Sequence, residues 1–482
     1  MIYSITEIKK ELWENMAREK RQLDLTNENI HPIKVIAWLA WPVFLEQILA
    51  TLVSFADTAM VGALGPSATA SVSISNSVVF LLNGAVMALG VGITAYVARS
   101  VGAKDYEAAK AYIRHALLIL MCLGIPLAIL MMVMHRAIPA WMGADPEILD
   151  DAGRYVLITS AFRVFSLATM MLSSVFRGIG DTKTPLKINA GVNILNVVGN
   201  FFLINPTRTI SIFGMNIWMP GAGWGVAGAA AATGFSWLVG GSLMAILLFT
   251  RKGPTQISIK DSWKPDWALI KRVVKISVPA VLERICMSGA GIISAKAIAS
   301  LGTAVVAANS VFSTAESMSF MPAMAFQTSC TTLVGQSLGA KKPKLAEKYV
   351  WCNIGLGAAI LSLAGIALYV FSEQLCGIFT PDAEVRALAA QSLRIVSVIQ
   401  PIQAMAWIFA GALRGAGDTK WPFYITAICN WGIRTLGVVI CVYVLGFSLP
   451  ATIVCMCLDN TARCIWMWLR FRTGKWKTAI AG

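Results

Sequence analysis

Four asparagines, Asn189, Asn193, Asn196 and Asn200, follow one another at intervals of four, three and four residues inside an apolar stretch. On a helix that spacing puts all four amides on one face. Asp57 stands in another apolar stretch, fifteen residues after Pro42. An ionisable group at the centre of a bilayer costs about 2.5 to 3.5 kcal/mol on insertion scales, so one that survives there is a candidate for function. One carboxylate with several neutral oxygens suits Na+ or a proton, and Asn196 and Asn200 fall at the depth expected for Asp57. The competing reading of the asparagines is hydrogen bonding that only holds helices together. Proline inside a membrane helix removes a backbone hydrogen bond and permits a kink, which makes Pro42 the expected hinge for the segment carrying Asp57.

Glu46 and Glu283 are the next candidates. Placed on opposite walls of a central cleft, they would attract a cationic ligand or titrate; alternatively each is neutralised locally, Glu283 by Arg284 or Lys296. Glu316, Arg163, Arg434 and Asp459 are further charges within apolar stretches and read as pairing partners, Glu316 also as a cleft residue. Met287, with Met170, Met171, Met318, Met321, Phe165 and Phe320, would supply a soft, adaptable cleft wall, although such residues are more often ordinary core.

The elements that must position these groups are membrane helices. The chain has 482 residues, 57% hydrophobic and 13% charged, against the roughly 25% charge of a soluble domain. Apolar runs of the roughly 20 residues needed to cross a bilayer recur twelve times. They fall at about 35–58, 68–96, 112–135, 153–176, 185–204, 224–250, 270–300, 304–336, 347–371, 388–412, 421–446 and 449–469. The expected class is an all-α integral membrane protein of twelve transmembrane helices.

A net charge of +15 raises the question of nucleic acid, but its placement argues against that partner. With a cytoplasmic N-terminus, the tail and even-numbered loops hold Lys9, Lys10, Lys20, Arg21, Lys104, Arg177, Lys183, Arg251, Lys341 and Arg414, among others, while the odd loops hold Asp145, Glu147, Asp150, Asp151, Asp382 and Glu384. That bias puts both termini in the cytoplasm. Residues 1–34 lack the apolar core of a cleaved signal peptide. Ile5, Ile8, Leu12 and Met16 share one helical face, which suggests a helix lying on the membrane surface. The ten cysteines are scattered and His31, His115 and His135 dispersed, so neither disulfides nor a metal cluster is expected.

The chain also repeats itself at a separation of 237 residues. Pro42-Val43-Phe44-Leu45-Glu46 matches Pro279-Ala280-Val281-Leu282-Glu283, Leu64-Gly65 matches Leu301-Gly302, Gly102-Ala103-Lys104 matches Gly339-Ala340-Lys341, and R-G-x-G-D-T-K occurs at 177–183 and 414–420. Six spans per copy make the two repeats parallel, with a central cleft between them. The expected division is a tail (1–34), a first six-helix lobe (35–250), a linker (251–267) and a second lobe with its tail (268–482). Such repeats are typical of secondary transporters. Asp57 maps onto Ser294, Asn196 onto Ile433 and Asn200 onto Gly437, so the ion site is expected in the first lobe alone. Asn193 keeps its identity as Asn430.

Two motifs mislead. The R-G-x-G-D-T-K loops lack the Walker spacing and read as helix ends: glycine stops, an aspartate cap, and Arg and Lys obeying the charge bias. The G-x-G-x-x-G of Gly223 to Gly228 has no preceding strand of a βαβ unit and reads as close helix packing.

These residues, with Phe55-Ala56-Asp57-Thr58-Ala59-Met60-Val61-Gly62, the run from Gly225 to Thr233 and the closing segment Arg470 to Trp476, resemble the multidrug and toxic compound extrusion (MATE) family over nearly all of 35–477. The resemblance implies two six-helix bundles and export of amphipathic, often cationic organic compounds by antiport against Na+ or H+, without a cofactor. It implies a bacterial inner-membrane monomer whose partners are small molecules, a monovalent cation and lipid. Family members bind the coupling ion at the position of Asp57, helped by positions matching Asn196 and Asn200, with Thr233 joining them and Asn193 on the same face. For Na+ the ligands would be Asp57, Asn196 and Asn200. Many members carry Asp in place of Asn200, leaving Asp57 the site's one matched carboxylate. In plant-type and NorM-type members a glutamate lies eight residues after the seventh-helix proline. Here that place is Met287 and Glu283 comes four after Pro279, which is closer to DinF-like bacterial members. A lipid or glycolipid flippase is the nearest alternative; a membrane-embedded enzyme would need a catalytic dyad that the sequence lacks.

Overall fold

The computed structural model describes residues 24–212 and 215–479, so the surface helix expected between Ile5 and Met16 lies outside the described residues. Proline opens many of the helices, since at the first turn its missing N–H has no partner to lose. The first is α1 (Pro32–Gly62), followed by α2 (Pro66–Gly102), α3 (Tyr106–Val133) and a short α4 (Ala137–Trp141). Next come α5 (Pro146–Ala161), α6 (Arg163–Ile179), α7 (Lys183–Ile204) and, after a hairpin of β1 (Pro206–Ile212) and β2 (Met215–Ala222), α8 (Gly225–Thr250).

The second lobe repeats the plan with α9 (Trp267–Ala299), α10 (Thr303–Gly339), α11 (Pro343–Val370), a short α12 (Ser372–Phe379), α13 (Ala383–Ser397) and α14 (Gln400–Gly415). It ends with α15 (Lys420–Val444), widened to π-helix at Cys429–Thr435 and Ile440–Val444, and α16 (Leu449–Arg472). Asp105, Asp266 and Asp382 cap α3, α9 and α13 by accepting backbone N–H bonds.

Counting α5 with α6 and α13 with α14, and leaving aside the short α4 and α12, twelve rods result among the described residues. Among the described residues seven are long and apolar enough to cross a bilayer alone, and each bent pair qualifies as a unit. The bends, 54° and 59°, fall at equivalent places in the two repeats. Residues 153–176 and 388–412, expected as continuous spans, are therefore each two helices meeting at an angle. The antiparallel hairpin between α7 and α8 had no counterpart in the sequence reading.

Within the first lobe α7 packs against α1 and α8, and α2 against α6; between lobes α2 meets α9 and α10, and α1 meets α10. Lipid gives no hydrophobic drive to helix association, so close packing through small residues takes over. Gly228 shows this, because a Cβ there would lie 2.4 Å from the Leu203 carbonyl oxygen. The same device closes one end of the lobe interface. A Cβ on Gly102 would lie 2.0 Å from the Gln336 carbonyl oxygen, and one on Gly339 2.0 Å from that of Arg99. Gln336 Nε2 and Thr332 Oγ1 then donate across the seam to the carbonyls of Gly178 (3.0 Å) and Arg177 (3.0 Å). This sealed end is the one that carries the basic loops.

In the linker, the His115 ring accepts from the Asp266 backbone N–H (2.8 Å) and Arg114 pairs with Asp261 (3.0 Å). The cysteines are all free.

Candidate functional site

Toward the other end of the first lobe, α1, α7 and α8 bring Asp57, Asn196, Asn200 and Thr233 together. Asn200 Nδ2 donates to Asp57 Oδ1 at 2.6 Å and lies 3.4 Å from Asn196 Oδ1, while Asn196 Nδ2 donates to Thr233 Oγ1 at 3.1 Å. The hydrogen-bond network favours the Asn196 amide turned over. With its amide turned over, Nδ2 donates to Asp57 Oδ1 at 2.8 Å and Oδ1 accepts from Thr233 at 3.1 Å. So turned, Asn196 and Asn200 both donate to the Asp57 carboxylate.

Both asparagines are buried, and Asn200 Oδ1 has no hydrogen-bond partner among the described residues. A buried acceptor left open beside a carboxylate, with a second amide able to present oxygen and a hydroxyl next to it, is a donor set that fits a monovalent cation. Asp57 has no basic partner within ion-pair distance among the described residues. Asn193, one turn from Asn196, makes no hydrogen bond to the cluster. Arg163, fully buried at the start of α6, lies over the Trp237 ring (5.0 Å) with its guanidinium nitrogens unbonded among the described residues.

A cavity of about 380 Å³ lies between the lobes, bordered by α1, α2, α6 and α7 from one and α9, α10 and α14 from the other. Glu46 and Glu283 both border it, and each is already paired. Arg177 Nη2 reaches both Glu46 oxygens (2.8 and 2.9 Å), and Asn189 Nδ2 donates to Oε1 (2.6 Å). In the second lobe, Arg414 Nη2 (2.7 Å) and Thr426 Oγ1 (3.0 Å) donate to Glu283 Oε1. Every member of one trio is 237 residues from its counterpart, Asn189 and Thr426 included.

The charge expected to draw a cationic ligand is thus balanced from within. Glu283 takes Arg414 as its ion-pair partner, where the alternative of local pairing had named Arg284 or Lys296. Arg177 and Arg414, read in the sequence as loop charges obeying topology, reach back to the glutamates. The available signal was that the repeat keeps both Glu and Arg.

Met287 borders a small recess beside the cavity. Glu316, expected at the cleft, borders a separate cavity of about 140 Å³ inside the second lobe with Ser294 and Arg434, and accepts from Gln403 Nε2 (3.3 Å). Asp459 pairs with Arg463 (2.5 Å). Among the described residues no three His, Cys, Asp or Glu side chains group as a metal cluster would require. Asp181 caps α7 through the backbone N–H groups of Lys183 (3.1 Å) and Thr184 (3.0 Å) and pairs with Arg251, as the helix-end reading of its loop requires.

Two parallel six-helix lobes around a shared cavity define the class as a two-lobe membrane transporter. The MatE family model matches residues 42–202 and 279–440, one copy in each lobe, and the chain belongs to that family. It is similar to the probable multidrug resistance protein NorM of Thermotoga maritima (28% identical, covering 92% of this chain and 93% of the relative) and to the uncharacterized transporter YisQ of Bacillus subtilis (24%; 91% and 94%). In fold it matches a MOP superfamily transporter from Pyrococcus furiosus, with a TM-score of 0.85 at 22% identity, covering 96% of this chain and 99% of that one. An outward-facing multidrug resistance MATE family transporter gives the same TM-score and identity over 95% and 99%.

Proposed function

We propose that this protein is a cation-coupled antiporter that exports amphipathic organic compounds, with Asp57 binding the coupling ion, Na+ or H+. The observation that carries the reading is the cluster of Asp57, Asn196, Asn200 and Thr233, where a carboxylate without a basic partner meets an open amide oxygen. The positive-inside bias assigns the sealed, basic end to the cytoplasm, so the cavity is closed on that side. Ion binding at Asp57 would replace the amide N–H bonds that Asn196 and Asn200 give the free carboxylate. Asp57 lies on α1 beyond Pro42, where the missing backbone bond lets the outer half move against the inner half. Both termini are then cytoplasmic and the protein works as a monomer in a bacterial inner membrane. The position of Glu283 four residues after Pro279 supports a DinF-like subgroup.

The test is efflux of fluorescent amphiphiles, ethidium and a dansylated carboxylate, from proteoliposomes under separate Na+ and pH gradients. Acceleration by one gradient, lost in Asp57→Asn, is the expected result; undiminished efflux by that variant would sink the reading.

A further inference from the structure

The cavity between the lobes has an imbalance of charge. Three guanidiniums, of Arg177, Arg284 and Arg414, face two carboxylates, Glu46 and Glu283. Arg177 holds both Glu46 oxygens and Arg414 holds Glu283, so the two acids are spent on two of the arginines. Arg284 has no hydrogen bond or ion pair among the described residues, and it borders both the cavity and the recess beside it. The acid that Arg284 feels, its neighbour Glu283, is already held by Arg414, so the third guanidinium lacks a counterion of its own, a costly arrangement at this depth. The rest of the wall mixes Ser, Thr, Asn and Gln side chains with apolar ones, among them Met87, Met170 and Met324. Its volume is that of a site for one small molecule, about 300 to 1,000 Å³.

We propose that this cavity binds an amphipathic organic anion, its carboxylate or phosphate held by Arg284 and its apolar body by Met87, Met170 and Met324. The inference rests on the exporter reading and names its substrate class, reversing the cationic ligand expected from the two glutamates. Arg284 is suited to the role because a guanidinium takes a carboxylate or phosphate through two parallel hydrogen bonds. The methionines adapt to differing bodies, so selection acts through the charge.

The full chain in phosphatidylcholine nanodiscs is titrated with three dyes sharing one body: 6-(dansylamino)hexanoate, its neutral primary amide and dansylcadaverine. The hexanoate should bind tightest and the amine weakest. Arg284→Gln should weaken the hexanoate by about tenfold or more and leave the amide within about twofold, with Arg284→Lys recovering part of the loss. Unchanged amide binding also shows that the variant is folded. Equal affinity for amine and hexanoate in the wild type, or equal loss of hexanoate and amide in Arg284→Gln, overturns the proposal. Displacement by phosphatidylglycerol added to the disc would put a lipid phosphate on the same anchor, and no displacement would reserve it for soluble anions; both support it. Equilibrium binding needs no ion gradient, so failure here leaves the Asp57 coupling test untouched, and failure there leaves the anion site standing.

Discussion

Asn200 Nδ2 lies 2.6 Å from Asp57 Oδ1, and eleven residues earlier on the same two helices Asn189 Nδ2 lies 2.6 Å from Glu46 Oε1. Because α1 and α7 run in the same direction, one contact is repeated about 16 Å along the helix pair. What differs is the countercharge. Glu46 has Arg177, while Asp57 has no base within reach among the described residues, so the inner acid is a fixed pair and the outer one is left for a mobile ion.

The asparagine stripe therefore divides. Asn200→Ala removes a hydrogen bond to a charged group, worth about 1.5 to 3 kcal/mol. The ion concentration for half-maximal efflux should move by about tenfold or more. Asn193→Ala, which touches none of the cluster, should move it by less than about twofold. An equal effect of both variants in the proteoliposome assay would return the stripe to helix packing.

Two arginines, the part-buried Arg177 and the fully buried Arg163, should respond in opposite ways. Arg177→Met strands Glu46 beside the cavity and should lower the thermal midpoint of the solubilised protein, a loss of about 3 kcal/mol. Adding Glu46→Gln should restore part of it, the mark of a coupled pair. Arg163→Met instead removes a buried charge whose one contact of note is the Trp237 ring, and the midpoint should hold or rise.

Acid should loosen the start of α7. Burial works against the Asp181 charge, but the bonds from Thr184 and Arg251 outweigh it and hold the carboxyl below its ordinary 3.8. A carboxyl depressed on folding stabilises above its ordinary value, and that stabilisation is lost as the pH falls below it. Between about pH 5 and 3 the wild-type midpoint should therefore fall more steeply than that of Asp181→Asn, measured by light scattering on heating.

Much of this architecture was legible because the repeat and the bilayer both constrain the chain strongly. Pro42 and Pro279, Gly102 and Gly339, and the two R-G-x-G-D-T-K loops carry the duplication openly. The spacing of Asn196 and Asn200 likewise placed them on one face, where they are found beside Asp57. The break near Phe162 was hidden, since neither glycine nor proline marks it, whereas Pro401, three residues after Val398, was an available signal for the second. The sign of the cavity was hidden for a different reason. Sequence shows that Glu46 and Glu283 sit at matching depths, but their pairing with residues 131 positions away depends on how α6 and α14 return to the interface. Arg284 stands out only once those pairs are made.

The sealed end offers the most direct test of how the lobes move. Gly102 and Gly339 let the backbones of α2 and α10 touch, and a methyl at either place would meet a carbonyl oxygen rather than a yielding side chain. Gly102→Ala should therefore push the ends of the lobes apart, weakening the bonds that Gln336 and Thr332 make across the seam. Spin labels at the exposed positions Ala103 and Lys344 should report a longer and broader distance distribution in the variant than in the wild type. The efflux rate should fall as well, because the cavity would leak toward the basic side during the ion-binding step. An unchanged distance would mean that the seam relaxes locally, and then the glycines would serve helix packing alone, as Gly228 does between α7 and α8.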